Sequence, residues 1–152
     1  SLGMTIRLEA ERGYHVSMAN PSFTAPHPYM VTDAKFVLTP MQGALRAAGV
    51  VEFAGLDGPE HPEPPKFIAK AVKRVYPGLE FESSTSWMGR RPTTPDSLPA
   101  IGEAAAAPNV LHAYGGQHVG LTIGPKVGRL IADLAGRRTP NIDLAPYRPD
   151  RF

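Results

Sequence analysis

The sequence predicts an α+β protein in which an antiparallel sheet carries a flanking helix. Three observations lead there. Between Glu11 and Ala54, four strand-like stretches follow one another too closely for crossover helices, and such strands pair antiparallel. The stretch KFIAKAVKRVY, Lys66–Tyr76, then switches to a helical period. Finally, the order of strands, helix, strand, strand, helix lacks the βαβαβ run of a complete doubly wound domain.

Each element has a local reason. ERGYHVSMA, Glu11–Ala19, alternates as a strand does, and NPSFTAPHP, Asn20–Pro28, reads as a loop. Tyr29–Thr32 and Lys35–Pro40 read as two short strands turning at Thr32-Asp33-Ala34, a hairpin. Ala44–Ala54 continues as a strand, with Gly49 as the candidate bulge. Gly55–Pro65 is a loop ending in prolines suited to a helix start. In the helix, Phe67, Ile68, Ala71, Val72, Val75 and Tyr76 make one apolar stripe. Lys66, Lys70, Lys73 and Arg74 lie on the wet face, read as plain solvent surface, and Pro77-Gly78 ends the helix. Glu80–Met88 is the next strand, Ala104–Ala107 a surface stretch, and Asn109–Tyr114 a short apolar strand. A second amphipathic helix runs to Ala135, with Val127, Leu130, Ile131 and Leu134 inward and Gly136 closing it. Arg137–Phe152 is a Pro-rich surface tail, and there is no internal repeat.

Composition bounds the function. The chain of 152 residues is 42% hydrophobic and 20% charged, ordinary for a globular domain with a real core. Its 17 prolines are about twice the usual share, which points to many turns rather than disorder. The net charge is +2 and no Lys/Arg run exceeds two residues, so nucleic-acid binding has little support. There is no cysteine, which excludes disulfides, thiolate chemistry and Cys-based metal sites. His15, His27, His61 and His112 have no metal-ligand spacing, so no metal is expected. No run approaches the roughly 20 apolar residues of a membrane span and no signal peptide opens the chain, so a cytoplasmic location is the simplest expectation. Ser1-Leu2-Gly3 before Met4 reads as an expression scar.

Two segments could carry chemistry. GRRPTTPDSLPAIG, Gly89–Gly102, places two arginines before three prolines. Proline fixes φ and biases its predecessor toward extended backbone, so the segment should be a stiff, mostly extended path. On a strand Arg90 and Arg91 point to opposite faces, and one of them can turn inward. A buried arginine needs an anion. Asp96 or Glu103 could supply it, or a substrate carboxylate gripped by two parallel hydrogen bonds. The second segment is GGQHVGLTIGPKVG, Gly115–Gly128, between a strand and a helix. Gly116, Gly120, Gly124 and Gly128 recur every four residues and strip one helix face. That face suits tight helix–sheet packing or a flat ligand, and the helix N-terminus favours negative charge.

Taken together these segments carry a resemblance. Trp87 through Gly102 closely resembles the W-x-G-x-R-P-x-T-P-D-x-x-P-x-I-G signature of the FAD-dependent D-amino acid dehydrogenase/oxidase family, which includes glycine and sarcosine oxidases. Tyr114-Gly115-Gly116-Gln117-His118-Val119-Gly120-Leu121-Thr122 is similar to its G-H-x-H-x-G-L-T flavin turn, with Gly116 where the family commonly has His. Glu11–His15 and Gly55-Leu56-Asp57 resemble its substrate-domain strand and loop. The dehydrogenase branch fits best.

The family opens with a Rossmann unit whose G-x-G-x-x-G holds the FAD pyrophosphate, and no such pattern is present here. The resemblance therefore implies a C-terminal fragment of a longer enzyme. Residues 1–5 would be the scar or a disordered start and 6–88 the substrate-binding cap region. Residues 89–136 would be the C-terminal part of an FAD-binding Rossmann-like domain, contributing its last strand and helix, and 137–152 the tail.

By resemblance, Arg91 holds the substrate α-carboxylate and His118 lines the substrate pocket or the flavin. The residues Gly116, Gln117, His118, Val119, Gly120, Leu121 and Thr122 contact FAD, which the fragment alone would not retain. Arg90 would face away. The implied reaction oxidises a D-amino acid or related amine to an imine by hydride transfer to the flavin, giving a 2-oxo acid and ammonia. Implied partners are the amino acid, the absent dinucleotide-binding region and an electron acceptor such as a quinone, with peripheral attachment at the inner membrane face as an alternative location. A glycine- or sarcosine-type oxidase, or a non-catalytic ligand-binding or partner-docking module, are the competing readings. Tyr14, Tyr29 and Tyr114 are candidate pocket aromatics, with core packing the simpler role.

Overall fold

The computed structural model describes residues 4–152; the scar assigned to Ser1–Gly3 lies outside the described residues. The chain divides into two compact units, Arg12–Arg90 and the residues up to Glu11 together with Arg91–Phe152. The boundary expected from the sequence lies at 88/89, with the start of the first strand in the 6–88 region.

The first unit holds one helix and most of a five-stranded sheet. Its strands are β1 (Glu9–Ala19), β2 (Tyr29–Val31), β3 (Phe36–Met41), β4 (Ala44–Phe53) and β5 (Ser83–Thr93), ordered β2-β3-β4-β1-β5. β2, β3 and β4 form an antiparallel meander, with Tyr29 opposite Leu38 and Met41 opposite Ala44. The helix α1 (Glu63–Val75) starts earlier than its apolar stripe suggests, because Pro64 and Pro65 fit its first turn. Ile68, Ala71 and Val72 bury against Tyr14, Val16, Met18, Phe36, Leu38, Leu45 and Ala47. Phe67, expected in that stripe, is half exposed instead.

Against β3, Gly49 is not a bulge. It pairs opposite Phe36, at the end of a register that runs without a shift to Met41 and Ala44. A Cβ there would stand 2.7 Å from both the Lys35 carbonyl oxygen and the Phe36 Cβ, so the glycine allows close approach of neighbouring strands. The left-handed residue is its neighbour Val50, at φ 62°.

The second unit holds a hairpin, β6 (Ala100–Ala104) and β7 (Ala107–Tyr114), and the helix α2 (Gly120–Ala135). The surface stretch expected at Ala104–Ala107 is this hairpin's turn, and Ala104 itself is buried. In α2, Leu130 and Asp133 are buried, while Val127, Ile131 and Leu134 are half-buried. Asp133 is held by Arg138 at 2.9 Å and Arg129 at 3.3 Å. The Arg138 guanidinium, with desolvation opposing it, keeps this carboxyl below the usual range. Gly136 closes the helix, with the left-handed conformation falling on Arg137 at φ 53°.

The tail is docked. Arg151 grips Asp96 through Nε at 2.7 Å and Nη2 at 2.9 Å, and Nη2 also donates to the Leu98 carbonyl. A short 3-10 turn spans Ala145–Tyr147, and Pro149 is buried.

Candidate functional site

The arginine-proline segment is extended only in its first half. β5 is an edge strand of the sheet, which tolerates Pro92 without losing a ladder hydrogen bond. The chain then turns at Pro95–Ser97. Buried Thr94 donates its hydroxyl to the Leu98 carbonyl at 2.7 Å, and Ser97 N–H returns to the Thr94 carbonyl at 3.1 Å with Ser97 at φ 64°.

The two arginines separate as strand alternation requires. Arg90 is exposed, and its Nε donates to the Leu56 carbonyl at 2.7 Å. Arg91 meets neither Asp96, which Arg151 occupies, nor Glu103. Its anionic neighbour is Glu11, with Nη1 3.6 Å from Oε1. Glu11 is 6% exposed, and its Oε2 accepts from the Thr93 hydroxyl at 3.1 Å. His118 Nε2 stands 2.8 Å from the same Oε1. Arg91, Thr93 and His118 thus converge on one buried carboxylate. Neither Arg91 Nη1 nor Glu11 Oε1 makes an aligned hydrogen bond, although both atoms are buried. The Arg91 side chain as a whole is about one-third exposed, at 32%, so the rest of its fork is open to a ligand.

Sequence reasoning missed Glu11. The available signal was a charge at the head of an alternating apolar strand. It also missed Arg12, which is 1% exposed. The Arg12 guanidinium donates to four backbone carbonyls at 2.9 Å: Nε to Gly55, Nη1 to Pro59, and Nη2 to Ala54 and Gly58. Glu52 lies 3.6 Å away as its counter-charge and accepts from Tyr14 Oη at 2.6 Å. Burial, then this hydrogen bond to Glu52, raises the Tyr14 phenol above its ordinary value.

The remaining aromatic candidates also have partners. Tyr29 Oη is hydrogen-bonded to Tyr76 Oη, and Tyr114 packs edge-on against His112 at 5.9 Å. His15 lies 5.2 Å from Trp87, and burial followed by the charge of Arg46 lowers its pKa. Among the described residues no three His, Asp or Glu side chains gather as metal ligands.

The glycine turn runs from Gly115, at φ 78°, through Gln117, at φ 45°, into α2. A Cβ on Gly116 would sit 2.8 Å from the Gly120 Cα, so the turn closes on itself only because Gly116 lacks one. Positions 120, 124 and 128 behave differently: a Cβ at any of them would meet nothing within 4 Å. Tight packing within this unit therefore does not account for them. The N-terminus of α2 has no side-chain cap and no acidic residue in its first turn. Its leading N–H groups are unclaimed by helical geometry, and Gln117 Nε2 is buried without an acceptor. Val119 is 51% exposed and Leu121 96%. An uncapped positive helix end, an orphaned amide donor and a bare, apolar-rimmed helix face fit the anionic edge of a flat cofactor such as a flavin.

Comparison with known proteins places the chain in a family. The family profile described as FAD dependent oxidoreductase matches residues 1–134. The chain belongs to this family of flavin-dependent oxidoreductases. It is 39% identical over its whole length to a D-amino-acid oxidase of Bradyrhizobium diazoefficiens, of which it spans 37%. It is 32% identical to a D-amino acid dehydrogenase of Paramagnetospirillum magneticum, over 99% of this chain and 36% of that protein. The fold matches that of glycine oxidase from Geobacillus kaustophilus at a TM-score of 0.77 and 23% identity, covering 99% of this chain and 41% of the oxidase. The chain thus spans little more than a third of the length of the curated relatives it matches.

Proposed function

We propose that this chain forms the substrate-facing and flavin-facing part of an FAD-dependent enzyme that oxidises an amino acid. The observation that carries the reading is Arg91, fixed at the end of an edge strand with a partly open guanidinium and a buried Nη1 donor that no hydrogen bond satisfies. A substrate α-carboxylate is the anion that fork accepts in parallel hydrogen bonds. Orienting the substrate by its carboxylate aligns Cα for reaction and removes much of the entropic part of the barrier.

Gly116, Gln117, His118, Val119, Gly120, Leu121 and Thr122 would hold the isoalloxazine edge through the turn and the helix N-terminus. When bound, FAD would supply the two-electron oxidation itself. The positive end of α2 would favour negative charge developing at that edge. His118 contributes an imidazole whose Nε2 lies 2.8 Å from Glu11 Oε1. D-amino acids are the first substrates to test, with glycine, sarcosine and proline-type amines next. A quinone or oxygen would be the electron acceptor.

The exposure of Val119 and Leu121 beside the bare glycine face favours this reading over a free-standing binding module, whose surface there should be polar. Arg91→Lys in the full-length enzyme tests it. Lysine keeps the charge and loses the planar fork, so KM for the amino acid should rise at least about tenfold, equivalent to about 1.4 kcal/mol. An unchanged KM removes Arg91 from the site.

A further inference from the structure

We propose that Glu11 makes the Arg91 site selective for zwitterions, so that it favours an amino acid over carboxylates of the same shape, including the 2-oxo acid product. The inference rests on the reading of Arg91 as the carboxylate grip and extends it to the net charge of the ligand.

The argument starts from the burial of Glu11. At 6% exposure the carboxylate is not itself a ligand contact. It sits 3.6 Å from Arg91 Nη1, too far and too poorly aligned for a hydrogen bond. The pair is therefore joined by charge rather than by a shared proton. The open nitrogens of the Arg91 fork remain available, but the cation they belong to is already compensated. Poorly hydrated surroundings weaken the screening of such charges, so a fixed anion 3.6 Å from the binding fork acts on whatever the fork holds.

A simple carboxylate brings an uncompensated negative charge into that field and is disfavoured by Glu11. An amino acid brings an ammonium with its carboxylate, and the same field attracts the ammonium. Oxidation of the amine leaves a 2-oxo acid without that positive group. The site that holds the substrate is thereby biased against the product. Thr93 fixes the orientation of Glu11 by donating to Oε2 at 3.1 Å, so the charge stays behind Arg91 rather than swinging toward solvent. His118 Nε2, 2.8 Å from Oε1, is the other group in contact. The same pH and ionic strength are therefore used for every probe and variant.

The experiment uses the full-length holoenzyme and reads ligand binding from perturbation of the flavin absorbance, independently of turnover. The probes are 2-aminoisobutyrate, a zwitterion with no hydrogen on Cα, and pivalate, a monoanion of nearly the same shape. The unaltered enzyme should bind the zwitterion at least tenfold more tightly than the monoanion. In Glu11→Gln, which keeps an acceptor for Thr93, the ratio should fall at least tenfold, mainly through tighter pivalate binding. Glu11→Asp, which keeps the charge, should preserve most of the discrimination. Equal or tighter binding of pivalate by the unaltered enzyme overturns the proposal, and this arm needs no variant to fold. A ratio that does not move in Glu11→Gln also overturns it. Failure of the underlying reading looks different: neither probe would perturb the flavin, or Arg91→Lys would leave the binding of both unchanged.

Discussion

At Glu11 one carboxylate answers three side chains, and the residue farthest from it in sequence, His118, comes from a turn that no local pattern ties to a strand at the other end of the chain. Thr93 is 82 residues away in sequence. A contact of that range has no periodicity or spacing to betray it. What could be read locally was that one of two adjacent strand arginines can face inward and would then require an anion. The identity of that anion could not. Gly116 is the opposite case. Its position in a glycine-rich turn was legible, and the structure adds the reason, a 2.8 Å approach of its missing Cβ to the Gly120 backbone. Gly116→Ala should therefore force the turn apart, with a loss of about 1–3 kcal/mol in stability typical of overpacking. Denaturant titration of the full-length apoprotein would measure that loss, and the holoprotein should release FAD more readily.

Among the elements, the meander and both helices were legible because their apolar residues keep a strict period of two or near 3.6. Tyr29–Val31, Phe36–Met41 and α1 lie close to where that pattern puts them. The β6 strand was hidden for a physical reason. Its residues, Ala100-Ile101-Gly102-Glu103-Ala104, contain little that distinguishes inside from outside, and they run into an alanine stretch with no preference between surface and core. The tail was read as lying on the surface, and its composition gave no hint of the Arg151 clasp on Asp96. That clasp makes the tail sensitive to acid. The hydrogen bond from Arg151 holds the Asp96 carboxyl well below the usual carboxylate range. Its stabilisation is thus complete above the ordinary carboxylate value of about 4 and is lost as pH falls through the depressed folded value. Thermal melting of this chain should show Asp96→Asn less stable than the parent at neutral pH. The two curves should converge in strong acid, and a constant gap down to about pH 1 would contradict the clasp.

For the whole molecule, the class of fold followed from strand spacing and element order, and the family followed from three motifs in the right sequence order. Neither line of reasoning reached the electrostatic layout, because buried charges such as Arg12 and Glu11 look like ordinary surface residues until the strand that carries them is placed. No helix among the described residues is long and apolar enough to cross a membrane. The glycine face of α2 stands open, with Leu121 at its start 96% exposed.

The Arg12 clamp has a consequence in time. A loop tied only by its ends fluctuates in nanoseconds to microseconds. The stretch from Ala54 to Pro59 is tied from within by one planar group that holds the carbonyls of Ala54, Gly55, Gly58 and Pro59 at once. It cannot lift by breaking them singly, because each release strands a donor of a buried cation. Its opening should therefore keep the slow schedule of local unfolding rather than the fast one of a lid. Hydrogen exchange can read that clock directly: amides from Ala54 to Gly58 should exchange slowly in the parent chain and speed up at least about a hundredfold in Arg12→Lys, whose single ammonium cannot span the four acceptors.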